Sequence, residues 1–415
     1  MSGNPFRRVV ATLASAALIA CGGGGSGTPA AATPPITAPP VATGAPTLTR
    51  TVLLAGLAYP WDLAFTPDGA LLYTERGRGL SVRRTDGSTA LLFRPADLVA
   101  EGQSGFNGVA IDPDFAANRR VYVYMASNAG GERDNRVIRL IVDAGYTAVS
   151  GRTDIVTGIS YKSVAASGAP GGTGAHNGGR IRFGPDGFLY ITTGDTHHPA
   201  VPQSPSALGG KVLRVRTDGS AAPGNAAPAA FDARIYAYGF RNPQGITFRP
   251  ANSPNAGQPY ISEHGPGHSD EVTALSAGGN GGWDPGCRDD PARYCGYGSN
   301  QADGTPTPMT DLAKFPSALR PLWNNNGRSQ GMSGATFISG AQWRDWNGAL
   351  VVAFLAGQRL EILRLRDDGS LASTTAVFDT LGTRLRAVVQ GPAGELYVST
   401  DGKSGGDEIW RVTAQ

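Results

Sequence analysis

Lysine is scarce in this 415-residue chain: Lys162, Lys211, Lys314 and Lys403 are all there is. Arginine brings the basic total to 36 against 33 acidic residues, a net charge of +3. Arg7 and Arg8 belong to an N-terminal segment read below as removed, so the remainder is closer still to balance. Such a chain lacks the basic face that nucleic acid or an anionic lipid surface requires. Histidine is also rare, with five copies, and none lies near the cysteine pair Cys287 and Cys295. A metal site there is therefore the weaker reading, and a disulfide closing a small loop the stronger. Beyond residue 20 no apolar run is long enough to cross a bilayer as a helix. No amphipathic helix of useful length can be read either.

What is abundant is glycine (59) and proline (30), beside a 40% hydrophobic share that suffices for a core. That combination predicts many short strands joined by tight turns. The first twenty residues form a leader: basic Arg7-Arg8, then an apolar run from Val9 to Ala20. The run ends in Leu18-Ile19-Ala20-Cys21, which is similar to the lipobox of bacterial lipoproteins, where the cysteine is lipidated. The chain is thus expected to be exported to the periplasm or cell surface and held at the membrane only by a lipid on Cys21. Residues 21–48 are rich in Gly, Ala, Pro and Thr and read as a flexible linker. Residues 49–415 read as one domain.

Within that domain a strand, turn, strand unit recurs. The clearest copies run from Leu63 to Glu75 and from Ile181 to Asp195, each around Pro-Asp-Gly. Others start at Val109, Ile246, Ala335 and Val388. Pro-Asp-Gly supplies a fixed φ, a side-chain acceptor and a positive-φ position, which is tight-hairpin chemistry. Six copies predict an all-β, six-bladed β-propeller, its blades enlarged by long loops because a bare blade needs only about 40–45 residues. Loops converging on one end of the channel are then the natural site.

Four constellations could carry chemistry. His176, in a Gly-rich loop before a strand, suits a general base, or is a loop histidine bonded to backbone. Arg241, in Phe-Arg-Asn-Pro-Gln-Gly, suits an anionic or quinoid ligand, or caps a turn. The stretch from Glu263 to Glu271 combines Gly-Pro backbone carbonyls with carboxylates, hard oxygen donors suited to Ca²⁺; a zinc site from His264 and His268 lacks further close ligands. Arg384 and Arg386, alternating before the last repeat, either converge on one anion or are solvated.

Taken in order, these residues resemble the soluble quinoprotein glucose dehydrogenases, the glucose/sorbosone or aldose sugar dehydrogenase family. The matching segments are His176-Asn-Gly-Gly-Arg180, Leu208 to Val215, Phe240-Arg-Asn-Pro-Gln-Gly245, Glu263-His-Gly-Pro266 and Gly278 to Trp283. The resemblance implies oxidation of an aldose to its lactone with pyrroloquinoline quinone (PQQ) and Ca²⁺. It implies His176 as base, Arg241 polarising the quinone C5 oxygen and Asn242 beside it. It implies Gln103 on the substrate side, Arg384 and Arg386 on the PQQ carboxylates, and Thr400 against the ring. It implies Ca²⁺ on the backbone oxygens of Gly265 and Pro266, and a second Ca²⁺ near Asp270 and Glu271. The electron acceptor, a cytochrome or a quinone, is open.

Three positions depart from the family. Ala356 stands where a lysine contacts PQQ, and none of the four lysines replaces it. Ala175 stands where a carboxylate often precedes the base, so His176 is expected to lack that partner. Gly281 stands where many members have Tyr. The loops 160–175 and 287–295 are read as bordering the site and as peculiar to this subgroup. Two other readings of the chain are a calcium-dependent lactonase-like hydrolase and a non-catalytic, surface-anchored binding module.

Overall fold

In the computed structural model, residues 43–163, 172–402 and 404–415 are described. The leader, Cys21, most of the linker and part of the 160–175 loop lie outside them. The described chain is almost wholly β, with twenty-four strands in six four-stranded sheets. Five sheets are antiparallel meanders of consecutive strands: residues 60–93, 106–159, 178–238, 243–324 and 332–377. The sixth takes three strands from residues 385–414, and its fourth is Leu48–Leu57 from the other end of the domain. These are the six propeller blades, and each sequence repeat is the inner hairpin of one. The only α-helix among the described residues is the single turn Phe115–Asn118.

Six apolar clusters hold the ring together, each lying between consecutive blades. One joins Leu72 and Val82 of the first blade to Val109 and Val123 of the second. The last joins Val389 and Tyr397 of the sixth blade back to Leu63 and Tyr73 of the first. Each fully buried aliphatic side chain contributes roughly 1.5–3 kcal/mol. The outermost strands need no such pattern: Leu371–Val377 is largely exposed.

The innermost strand of every blade breaks register near its start, at Pro60/Asp62, Phe106/Val109, Gly178/Ile181, Pro243/Gly245, Met332/Ala335 and Leu385/Val388. Such bulges bend a strand and re-aim its side chains. His176, Arg241 and Arg384 each lie just before one of these strands. Deeper in the channel, Arg180 is 1% exposed. It donates to the carbonyls of Trp61 and Gln244 and pairs with Asp62, so an internal ion pair occupies that level.

Candidate active site

Strand pairing explains how the site assembles. Gly178 pairs with Thr193 across the third blade's inner hairpin. The residues flanking that pair, His176 and Asp195, therefore emerge side by side. His176 Nδ1 lies 2.7 Å from Asp195 Oδ1. The orienting carboxylate expected to be missing, because residue 175 is alanine, is supplied from across the hairpin. Close approach here demands Gly194, where a Cβ would lie 2.0 Å from the His176 carbonyl oxygen. Both Asp195 oxygens are occupied. Oδ1 also accepts the His197 N–H at 2.9 Å, and Oδ2 accepts Trp283 Nε1–H at 2.8 Å and the Tyr294 hydroxyl at 3.0 Å. With Nδ1–H donated to the carboxylate, His176 presents a bare Nε2. Burial, then the positive charge of Arg241, hold its imidazole well below the usual range.

Two groups absent from the expected site touch that nitrogen, and a third lies behind one of them. His197 Nε2 is 2.9 Å away, and His197 Nδ1 is in turn 2.6 Å from Lys162 Nζ. The Tyr297 hydroxyl lies 3.0 Å from His176 Nε2, 2.9 Å from His197 Nε2 and 2.7 Å from Arg241 Nη2. Lys162 comes from the 160–175 loop and Tyr294 from the 287–295 loop, while Tyr297 lies two residues beyond the latter. Cys287 and Cys295 are disulfide-bonded, with Cα atoms 4.9 Å apart.

Arg241 is 1% exposed. Its Nη1 donates to the His264 carbonyl at 2.5 Å, and its Nε is buried without a partner. Among the described residues it forms no ion pair with a carboxylate. Asn242 receives Gly178 N–H at 3.0 Å on Oδ1, while its Nδ2 is also buried and unbonded. Glu263 accepts the N–H groups of Arg241 and Asn242 and fixes that turn. Burial and the neighbouring Glu271 push the Glu263 carboxyl up to about 8.

Other expected residues are placed differently from one another. Gln103 accepts the His176 backbone N–H at 3.2 Å, so it braces the base. Arg386 pairs with Asp401 through Nε, and Arg384 Nε lies 3.8 Å from the same carboxylate. The two arginines, expected to converge on the carboxylates of PQQ, here share an anion the chain itself provides. Thr400 donates to Asp407 at 2.9 Å. Arg384 and Thr400 line a 340 Å³ cavity that neither His176 nor Arg241 reaches. Ala356 is exposed. A side chain at Gly281 would strike the Phe240 ring at 2.5 Å, which explains why no tyrosine stands there.

Gly265 and Pro266 are buried, and neither carbonyl accepts a hydrogen bond within the described residues. Asp270 and Glu271, at the entry to the strand Glu271–Ala274, bond to different partners. Asp270 is filled by donors: Gly265 N–H and Ser329 O–H on Oδ1, and Asn325 N–H with the Gln330 and Gly331 N–H groups on Oδ2. Glu271 accepts from Thr310 and Asn324. No cluster of three or more His, Cys, Asp or Glu side chains suited to a metal occurs among the described residues.

Known proteins resemble this chain in sequence and fold. Aldose sugar dehydrogenase YliI of Escherichia coli is 30% identical over 87% of this chain and 92% of its own length. The PQQ-bound form of an aldose sugar dehydrogenase from Streptomyces coelicolor superposes with a TM-score of 0.67 at 28% identity, covering 91% of this chain and all of that one. The soluble aldose sugar dehydrogenase of Escherichia coli gives 0.73 at 26% identity, covering 89% of this chain and all of that one. Residues 57–411 match the family described as Glucose / Sorbosone dehydrogenase. The chain belongs to that family and is a sugar dehydrogenase built on a six-bladed propeller.

Proposed function

We propose that the protein oxidises an aldose at its anomeric carbon to the lactone, with PQQ and Ca²⁺ bound at the channel mouth. One observation carries this. A neutral histidine, fixed by a carboxylate, and a buried guanidinium with no carboxylate of its own meet at a single oxygen, that of Tyr297. A sugar hydroxyl brought to that point would give its proton to His176 Nε2. The departing hydride needs an acceptor, and PQQ supplies one when bound. The unsatisfied donors Arg241 Nε and Asn242 Nδ2 fit an electron-rich oxygen, and a fixed charge stabilises negative charge growing there. Arg384, Arg386 and Thr400 would hold the cofactor's carboxylate side. The unpaired carbonyls of Gly265 and Pro266 fit Ca²⁺. Asp270, with both oxygens engaged, is better read as the clamp of that loop.

Export to the periplasm or cell surface, lipidation at Cys21 and tethering by residues 21–48 complete the reading. Among the described residues no helix is long and apolar enough to cross a membrane. The test is reconstitution of residues 22–415 with PQQ and Ca²⁺, following the quinone absorbance while aldoses are added. Tight binding followed by bleaching supports the dehydrogenase. No binding in excess calcium replaces it with a non-catalytic module. His176→Ala should keep PQQ and lose nearly all turnover.

A further inference from the structure

We propose that His197 and Lys162 form a proton store behind the base: the proton taken by His176 passes through the His197 imidazole to the Lys162 amine. The proposal rests on the reading of His176 as base. Its ground is an unbroken buried line, His176 Nε2 to His197 Nε2 at 2.9 Å and His197 Nδ1 to Lys162 Nζ at 2.6 Å. The three side chains belong to residues only 3%, 0% and 2% exposed. The geometry is enforced. Thr196 and His197 both hold left-handed φ angles, +50° and +57°, a conformation non-glycine residues keep only where the surroundings impose it. One carboxylate, Asp195, fixes both rings, through the His176 side chain and the His197 N–H.

The charge pattern drives the transfer. His197 is faced by His176, Asp195, Lys162, Tyr294, Tyr297 and Arg241. Burial and the neighbouring cations disfavour an imidazolium at either histidine. An alkyl amine is intrinsically more basic than imidazole by about four pKa units, so a neutral Lys162 is the natural resting place for the proton. Burial lowers the lysine, the direction that eases release of the stored proton after turnover.

The steps balance. The sugar O–H bond breaks and its proton joins His176 Nε2. His176 passes that proton to His197 Nε2. His197 releases the proton on Nδ1 to Lys162 Nζ, which becomes ammonium. His176 ends neutral with Nδ1–H, and His197 ends neutral with Nε2–H in place of Nδ1–H. No electrons move along this line; they leave C1 with the hydride.

The first test needs no cofactor. In apo-protein, ¹⁵N NMR of labelled histidine should show the His197 tautomer switching from Nε2–H to Nδ1–H as rising pH neutralises Lys162. Lys162→Met should abolish the switch. In the reconstituted enzyme, single-turnover bleaching should slow about a hundred-fold in Lys162→Met, the low end of what a positioned proton acceptor contributes. Lys162→Arg should be as slow, because a guanidinium can still donate a hydrogen bond at that point but takes up no proton. His197→Gln provides an independent break in the line. One His197 tautomer at every pH in both wild type and Lys162→Met, or wild-type bleaching in Lys162→Arg, overturns the store. If His176→Ala bleaches normally, the base assignment itself has failed; if it is silent while Lys162→Arg is normal, only the store has failed.

Discussion

Asp195→Asn isolates the group that makes His176 a base. The wild-type carboxylate accepts four hydrogen bonds, from His176, the His197 backbone, Trp283 and Tyr294. An amide offers one oxygen and one NH₂. If the oxygen stays at the histidine side, NH₂ faces Trp283 and Tyr294. Tyrosine can turn and accept, but indole N–H can only donate and is left unpaired, a cost of about 1–3 kcal/mol. The bond to His176 survives without its charge. A charged bond is worth about 1.5–3 kcal/mol against about 1 for a neutral one, so the imidazolium forming in the transition state loses about 0.5–2 kcal/mol, roughly a two- to thirty-fold drop in rate. If instead the NH₂ faces His176, the ring is forced to the Nε2–H tautomer and the base is lost, a penalty of order 10⁴ in rate. Guanidinium unfolding of the apo-protein reads the first effect, and single-turnover bleaching after reconstitution reads the second. Tyr294→Phe, which removes one donor from the far oxygen, should cost less than about ten-fold. An Asp195→Asn protein with the wild-type midpoint and rate would refute the claim that this carboxylate holds the base.

Other consequences are open to measurement. Tyr297→Phe deletes the hydroxyl that occupies His176 Nε2 and Arg241 Nη2, and should raise kcat/KM for small aldoses; a fall would mean the phenol takes part in the chemistry. Lys211 is fully buried and donates to the carbonyls of Val201, Pro202 and Gly209 at 2.6, 2.9 and 2.9 Å, so Lys211→Met should lower apo stability by about 3 kcal/mol on denaturant titration. His176 and His197 both titrate below their unfolded value in the fold. Their stabilising contribution is therefore present above about pH 6.5 and falls as pH drops below it, because the unfolded chain takes up protons that the fold refuses. Urea midpoints between pH 7 and 5 should decline, and less steeply in His197→Asn; equal slopes would contradict this.

The inner hairpins were legible because Pro-Asp-Gly turns and alternating apolar residues mark a strand pair buried between blades. The outer strands were not. Leu371–Val377 is mostly exposed and carries little apolar signal. The pairing of Leu48–Leu57 with the C-terminal strand is a contact across the whole domain. In the site, His176 and Arg241 were visible because glycine-rich turns surround them. Asp195 and His197 lie at the exit of a recognised hairpin, opposite the entry that carries His176, so antiparallel pairing alone could have predicted the contact. Lys162 and Tyr297 reach the site from loops without periodicity, and only the fold brings them there. Arg384 and Arg386 were expected to meet an external anion; Asp401, fifteen residues beyond Arg386, already lies between them.

The sixth blade has one further consequence, for the order in which the molecule matures. Its edge strand comes from the opposite end of the domain, and Thr51 bonds to Arg411 across 360 positions. A nascent chain can complete five blades early, yet the ring stays open until the last strand emerges and finds the first. Contacts so distant in sequence form slowly. Until they form, Asp407–Ala414 presents an unpaired edge able to recruit another chain. Clipping after Leu57, which removes the first strand, would therefore be expected to produce assembly between molecules, with an intact protein's Leu48–Leu57 strand completing the clipped protein's last blade.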